Sequence, residues 1–234
     1  MKIICMIPAR LGSQRVKKKN LRLINNKPLI QYVIDTVKEC KIFDSIYLNS
    51  ESNIFKKIAN ENNINFYKRD SKHSSNKATN DDFALDFIQN IHGDILVQIL
   101  PTSPLINVNE INNFVNYYLD KNLKTLISVC NHQIATIYNK KPINFSKIKK
   151  NPPSQKMNPV QSYATVLMAW DYKYFTYNMK KYKSAYHGGY GKTDYFPLGP
   201  LSCIDIDEEE DFLLVEKIIL SNRFKNQKVK YYKW

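Results

Sequence analysis

Residues 8 to 20, Pro-Ala-Arg-Leu-Gly-Ser-Gln-Arg-Val-Lys-Lys-Lys-Asn, gather Arg10, Arg15, Lys17, Lys18 and Lys19 around Gly12 and Ser13. Such a loop suits a polyphosphate: Gly12 lets backbone approach an anion, Ser13 and free loop N–H groups donate hydrogen bonds, and the cations neutralise charge. The chain has 30 lysines and five arginines, yet two of the five arginines sit here, where a planar fork favours bidentate phosphate contact. The alternative is a solvated basic loop of a lysine-rich protein. A second constellation is Ile204-Asp205-Ile206-Asp207. On a strand, a spacing of two puts both carboxylates on one face. Paired carboxylates suit a hard divalent cation such as Mg²⁺, which commonly takes one or two of them together with substrate phosphates. Asp207 could instead cap the helix that Glu208 to Asp211 would open. His187 lies in the glycine-containing loop His187-Gly-Gly-Tyr-Gly-Lys192, which could close over a substrate or simply turn tightly. Tyrosines 163, 182, 186, 190 and 195 could stack on a sugar, or form core and subunit contacts.

The apolar run Ile3 to Ile7 reads as a buried strand that delivers the basic loop. Apolar spacing predicts a helix over Pro28–Cys40, a strand over Ser45–Ser50, a helix capped by Ser52, and a short strand over Ile64–Tyr67. A helix starting at Asn80 or Asp81 leads to the nearly continuous apolar strand Asp94–Leu100, stopped by Pro101-Thr-Ser-Pro104. A helix over about 108–121 and a strand over Thr125–Val129 follow. Residues 131–160 break the rhythm with four prolines and six lysines, and read as an insert. Gln161–Trp170 then forms a strand, about 172–179 a short helix, Cys203–Ile206 a strand and Glu209–Ser221 a last helix. Strands alternating with helices predict one α/β domain over residues 1–234 with a mainly parallel sheet, its ligands beyond the strands' carboxyl ends.

Bulk properties narrow the classes. A net charge of +14 raises nucleic acid as a partner, but the excess is lysine spread over the whole chain, so no nucleic-acid role is expected. Cys5, Cys40, Cys130 and Cys203 lie far apart, without a C-x-x-C pair. They read as buried thiols in a reducing compartment. No apolar stretch is long enough for a membrane span, and a cytoplasmic soluble protein is expected. Gly12 stands alone where a dinucleotide-binding loop needs three glycines, and no complete G-x-x-x-x-G-K-[ST] of a P-loop is present.

Ile7-Pro-Ala-Arg-Leu-Gly-Ser13 with Lys19-Asn20, Pro101-Thr-Ser-Pro-Leu105, and Ile204-Asp-Ile-Asp207 before a helix together resemble the CMP-sugar synthetases. These cytidylyltransferases activate N-acylneuraminate and related nine-carbon acid sugars. The resemblance runs in order along nearly the whole chain. It implies a Rossmann-like α/β nucleotidyltransferase fold, CTP as donor, Mg²⁺ as cofactor, and a homodimer in which the 131–160 insert packs against the partner. It makes Arg10, Ser13 and Lys19 triphosphate contacts, with Gly12 and Arg15 in the same loop, and places Asn20 near the cytidine. Arg69 matches an arginine that approaches the base, and Asn80 stands where the family often has a serine in the nucleotide pocket. Asp205 and Asp207 match a metal-binding pair, and Arg10, Lys19 and Asp207 would carry catalysis. On the residues alone, Arg69 could be a surface cation and Asn80 a helix cap.

The acceptor half departs from the family. Where the family places a glutamine before Pro101, this chain has Leu100, with Gln98 two residues earlier on the same strand face. The family's arginine for the acid's carboxylate is absent from Gln161-Ser-Tyr-Ala164. A lysine of the insert or Lys192 could replace it. Gln98, Leu100, Gln161, His187 and Lys192 are thus the candidate acceptor contacts. The expected reaction is transfer of CMP from CTP to a nonulosonate of N-acylneuraminate, legionaminate or pseudaminate type. The alternatives are another keto-acid sugar or a phosphonate as acceptor, or a basic nucleotide- or RNA-binding protein without catalysis.

Overall fold

A computed structural model describes residues 1–75 and 77–221. The part of the expected 1–234 domain beyond Ser221 lies outside the described residues. The elements run β1 (Ile3–Pro8), β2 (Leu23–Ile24), β3 (Lys27–Pro28), α1 (Leu29–Glu39), β4 (Ser45–Ser50), α2 (Asn53–Glu61), β5 (Asn65–Lys68), α3 (Asn80–Asn90), β6 (Ile95–Ile99), α4 (Val108–Asp120), β7 (Thr125–His132), β8 (Ile137–Tyr138), β9 (Lys141–Pro142), β10 (Val160–Asp171), α5 (Tyr172–Tyr182), β11 (Thr193–Pro197) and α6 (Glu209–Ser221).

Seven strands form one sheet in the order β11-β7-β10-β6-β1-β4-β5. β1 pairs in parallel with β4 and β6, β4 with β5, and β7 with β11, while β10 runs antiparallel between β6 and β7. All six parallel strands therefore end at the same edge of the sheet. Both faces are covered. Ile3, Cys5 and Ile7 join residues of α1, α2 and α4 on one face, while Ile4 and Met6 join residues of α3 and α5 on the other. This explains why β1 is apolar at every position.

Local chemistry fixes the boundaries. The Ser52 hydroxyl accepts the Ile54 amide N–H at the start of α2. α3 begins with a reciprocal capping box between Thr79 and Asp82, so Thr79, and not Asn80, caps it. Asn25-Asn26 and Asn139-Lys140 take positive φ in the two-residue turns of the β2–β3 and β8–β9 hairpins, where such turns match the strand twist.

Three expectations need correction. Cys203–Ile206 belongs to no sheet: the Cys203 and Ile204 N–H groups turn back to the Gly199 and Leu201 carbonyls, and the Ile206 N–H donates to the Thr102 carbonyl at 2.9 Å. The strand in this region is instead β11, which the sequence reading passed over. The insert is also shorter than 131–160, since β7 runs on to His132 and pairs with Val160 and Gln161. Inside it, Asn144 stitches the loop by accepting the Thr136 N–H and donating to the Ile134 and Asn158 carbonyls. Cys5, Cys40 and Cys130 are buried thiols, while Cys203 is partly exposed.

A small third cluster ties the sequence ends together. Val16, Ile24, Leu29, Ile206, Phe212 and Val215 are fully or almost fully buried against one another. Val16 belongs to the basic loop and Ile206 to the aspartate segment. Their packing brings residues about 190 positions apart into one place.

Candidate active site

A cavity of about 410 Å³ opens at the carboxyl ends of β1, β5 and β6, within the size range of small-ligand sites. Arg10, Ser13, Arg15, Lys19 and Asn20 line it from the basic loop, Arg69 and Phe83 from the β5 side, Leu100 to Thr102 from the end of β6, and Asp205 and Asp207 from the last loop. β11 explains how the aspartates arrive: its parallel run along β7 returns the chain to the carboxyl edge just before residue 198.

The charges are interlocked. Arg15 donates to Asp207 at 2.6 Å and to Glu208 at 3.1 Å. Lys19 lies 3.4 Å from Asp207 and also donates to the Ile206 carbonyl. The start of α6 is secured by Asp211, whose carboxylate accepts the Asp207 and Glu208 N–H groups at 2.9 and 2.8 Å. Asp207 thus turns its own carboxylate toward the basic loop. Burial pushes the Asp205 carboxyl above the usual carboxylate range; a bond from Thr102 opposes this and the Asp207 charge adds to it. The Oδ1 atoms of Asp205 and Asn20 and the Nε of Arg69 are buried without a hydrogen-bond partner among the described residues. These three polar atoms belong to residues that line the cavity and are open to a ligand or to water there.

Arg69 is 3% exposed, so it is not a surface cation. Its Nη2 donates to the Ala9 carbonyl at 2.8 Å and to Glu51 at 3.3 Å, and its guanidinium lies 5.0 Å from the centre of the Phe83 ring. A β-carbon at Gly12 would meet no atom within 4 Å. The fold does not itself require glycine there, and the space before it is open.

The remaining candidates sit elsewhere. Asn80 accepts a bond from buried Gln98 at 2.8 Å, leaving Gln98 Oε1 and Asn80 Nδ2 without partners among the described residues. The pair lies behind Leu100 on the α3 face. Gln161 is exposed and donates to Asn131. His187 lies 3.3 Å from the Tyr163 hydroxyl, in a group of rings with Tyr186 and Tyr195. Tyr190 stacks on Tyr174 and packs beside Tyr177, which also meets Tyr182. Lys192 needs correction as an acceptor contact: its carbonyl accepts the Lys124 and Thr125 N–H groups at the amino end of β7, and its ammonium caps the Lys121 carbonyl. That is the edge of the sheet opposite the cavity.

No site role was read in the sequence for Glu51, Thr102, Phe83 or Asp81. Asp81 accepts the Ala185 and Tyr186 N–H groups at 2.9 and 2.7 Å, tying the loop after α5 to the start of α3. Glu51 had a readable signal, because it directly follows β4 at the ligand-binding edge. Thr165 at the β10 bulge carries φ 59°, strained for a β-branched residue. Its neighbour Val166 accepts the Leu100 N–H.

The sequence profile of a family described as cytidylyltransferase matches residues 4–194. N-acylneuraminate cytidylyltransferase of Streptococcus agalactiae serotype V is 26% identical over 98% of this chain and 49% of its own length, and that of Escherichia coli O18:K1:H7 is 27% identical over 99% and 55%. The chain spans about half the length of these curated relatives. Post-translational flagellin modification protein B of Campylobacter coli is 26% identical over 93% of this chain and 94% of its own. Among solved structures, CMP:2-keto-3-deoxy-manno-octonic acid synthetase complexed with CTP superposes with a TM-score of 0.71 at 15% identity, covering 95% of this chain and 100% of that one. At that identity the likeness is one of fold. A profile spanning the basic loop, the Pro101–Pro104 turn and five of the six parallel strands, on a sheet shared with solved structures, places the chain in the cytidylyltransferase family.

Proposed function

We propose that this chain transfers CMP from CTP to an acidic sugar of the nonulosonate class, releasing pyrophosphate. The observation that carries this reading is the convergence of Arg10, Arg15 and Lys19 with Asp205, Asp207 and buried Arg69 on one cavity. The relatives named for N-acylneuraminate support the acceptor class, and the family supports CTP.

In the proposed reaction an acceptor hydroxyl attacks the α-phosphorus of CTP and gives up its proton to a cavity carboxylate, Asp205 or Asp207. A P–O bond forms to the acceptor, the bond to the bridging oxygen breaks, and pyrophosphate leaves with that electron pair. Catalysis of such a step is positioning and charge neutralisation. Arg10, Ser13, Arg15 and Lys19 hold the β- and γ-phosphates, with backbone approach at Gly12. Arg69 and Asn20 face the nucleoside, each with an open polar atom. Leu100 lines the cavity on the proposed acceptor side, while Asn80, Gln98, Gln161 and His187 lie outside its lining and would reach an acceptor only beyond it. Mg²⁺ fits the residues present: two carboxylates reach the cavity, and one Asp205 oxygen is buried without a partner. Asp205 and Asp207 would hold the ion, which supplies further neutralisation of phosphate charge when bound. Binding would also require Arg15 and Lys19 to exchange Asp207 for phosphate oxygens.

We further propose a cytoplasmic homodimer built on the insert, where Ile134, Ile137, Tyr138, Ile143 and Ile148 are all more than half exposed, an arrangement that marks interaction surfaces. Among the described residues no helix is long and apolar enough to cross a membrane. A second reading, a different keto-acid sugar or a phosphonate as acceptor, is favoured by Leu100 at the cavity wall. Pyrophosphate release with CTP and Mg²⁺ against a panel of nonulosonates, shorter keto-acid sugars and phosphonates decides between them. Turnover with nonulosonates alone supports the first. Absence of both CTP binding and pyrophosphate release overturns the transferase reading.

A further inference from the structure

We propose that Glu51 is a positioning residue for the nucleotide half of the site, fixing Arg69 and the start of the basic loop in register with the cavity. The proposal rests on the nucleotidyl-transfer reading above.

Glu51 is the first residue beyond β4, and its side chain is 20% exposed. Its Oε1 accepts the Leu11 N–H at 2.8 Å. Its Oε2 accepts the Ser74 hydroxyl at 3.0 Å and Arg69 Nη2 at 3.3 Å. One carboxylate therefore joins the loops that follow β1 and β5 to the end of β4. Arg69 completes the frame by donating the same nitrogen to the Ala9 carbonyl at 2.8 Å. Ala9 and Leu11 flank Arg10, so the backbone on both sides of this cavity cation is clamped by the Glu51–Arg69 pair.

Charge and burial make the pair one-sided. A guanidinium that is 3% exposed needs a carboxylate partner, because an uncompensated buried cation is costly. Glu51 is the carboxylate paired with it. With Nη2 engaged and the face on Phe83, the Nε–H of Arg69 stays open and buried among cavity-lining groups. Glu51 itself does not line the cavity, so it acts through the groups it holds.

The test is CTP affinity by calorimetry with Mg²⁺ on the full chain, together with backbone hydrogen exchange over residues 9–11 and 70–74. The variants are Glu51→Gln, Glu51→Asp and, as control, Glu61→Gln on the exposed face of α2. Glu51→Gln keeps the size and an acceptor but loses the charge beside Arg69. It is expected to weaken CTP about tenfold, the worth of one bond to a charged group, and to speed exchange over both segments. Glu51→Asp is expected to fall between it and the wild type, and Glu61→Gln to match the wild type. Should Glu51→Gln not fold, the Asp variant carries the test: wild-type affinity and exchange there overturn the proposal. A Gln variant with a lower melting temperature but wild-type CTP affinity assigns Glu51 to stability alone and also overturns it. Wild-type protein that binds no CTP refutes the transferase reading separately; in that case unchanged exchange in Glu51→Gln overturns the anchoring role and faster exchange supports it.

Discussion

Asp207→Asn separates catalysis from stability most cleanly at this site. The substitution keeps the side chain's shape and removes one negative charge facing Arg15 at 2.6 Å and Lys19 at 3.4 Å. Arg15 and Asp207 are 57% and 46% exposed, and ion pairs so open to solvent add little to stability. Lys19 retains the Ile206 carbonyl, and Asp211 retains the Asp207 N–H. The melting temperature should therefore fall by no more than about 4 °C in a chain of this size. The proposed reaction asks far more of the same carboxylate. Loss of one ligand to a cation that neutralises phosphate charge removes about 3 kcal/mol or more from the transition state, which is at least a hundredfold in turnover. Coupled pyrophosphate release at saturating CTP and acceptor, with calorimetric unfolding on the same samples, measures both. Turnover above a tenth of wild type would refute the metal-ligand role, and a fall of more than 10 °C would show that the residue is structural.

Lys192→Ala should leave turnover within about twofold of wild type, because the residue lies at the amino edge of the sheet; a larger loss in steady-state rate would place it back at the site. Gly93→Ala should destabilise by about 1–3 kcal/mol, since the new β-carbon would stand 2.6 Å from Ile4 Cγ1 and 3.0 Å from the Tyr172 ring; a denaturant midpoint equal to wild type would contradict this packing. Burial alone would raise Glu51, but its bond from the Leu11 N–H, the Ser74 hydroxyl and the Arg69 charge hold the carboxyl below the usual range. Its contribution to stability is thus full above the unfolded value near pH 4.3 and disappears as pH falls through the folded value. The stability gap between wild type and Glu51→Gln should be flat from pH 7 to about 5 and shrink below about 4; a gap that widens in acid would reverse the sign.

Where the sequence carried its own periodicity, the elements were legible. The β4 bounds and the start of α6 coincide with the reading, because Ser50 ends a clear apolar pattern and Glu209, Glu210 and Asp211 form an acidic first turn. β11 was missed because Thr-Asp-Tyr-Phe-Pro is short, polar in part and placed at the sheet edge, where burial imposes little alternation. That omission misplaced Lys192, since only the direction of β11 shows which edge its preceding loop occupies. Ile204-Asp-Ile-Asp207 imitates a strand for a different reason. Ile206 and, partly buried, Ile204 face the Val16 cluster while the aspartates face the cavity, so a loop anchored by alternate apolar residues shows the same pattern. The reversed direction of β10 was invisible, because pairing direction depends on where the insert returns the chain. Residue type alone exposed the basic loop and the aspartates. The position of Glu51 after β4 was readable, but its role was not, since its partners are backbone and loop groups that come together only in the fold.

The packing of Val16 against Ile206, Phe212 and Val215 also has a temporal meaning. During synthesis the sheet strands β1, β4, β5 and β6 can assemble from the first hundred residues, well before Asp205 exists. The basic loop then stands without its apolar anchor and without the carboxylate that engages Arg15 and Lys19. Closing contacts of such long sequence separation come late and slowly. The geometry of the basic loop is therefore completed only once residues 206–215 are in place. α6 is in this sense the element that closes the cavity's basic wall, although it contributes no residue to the lining.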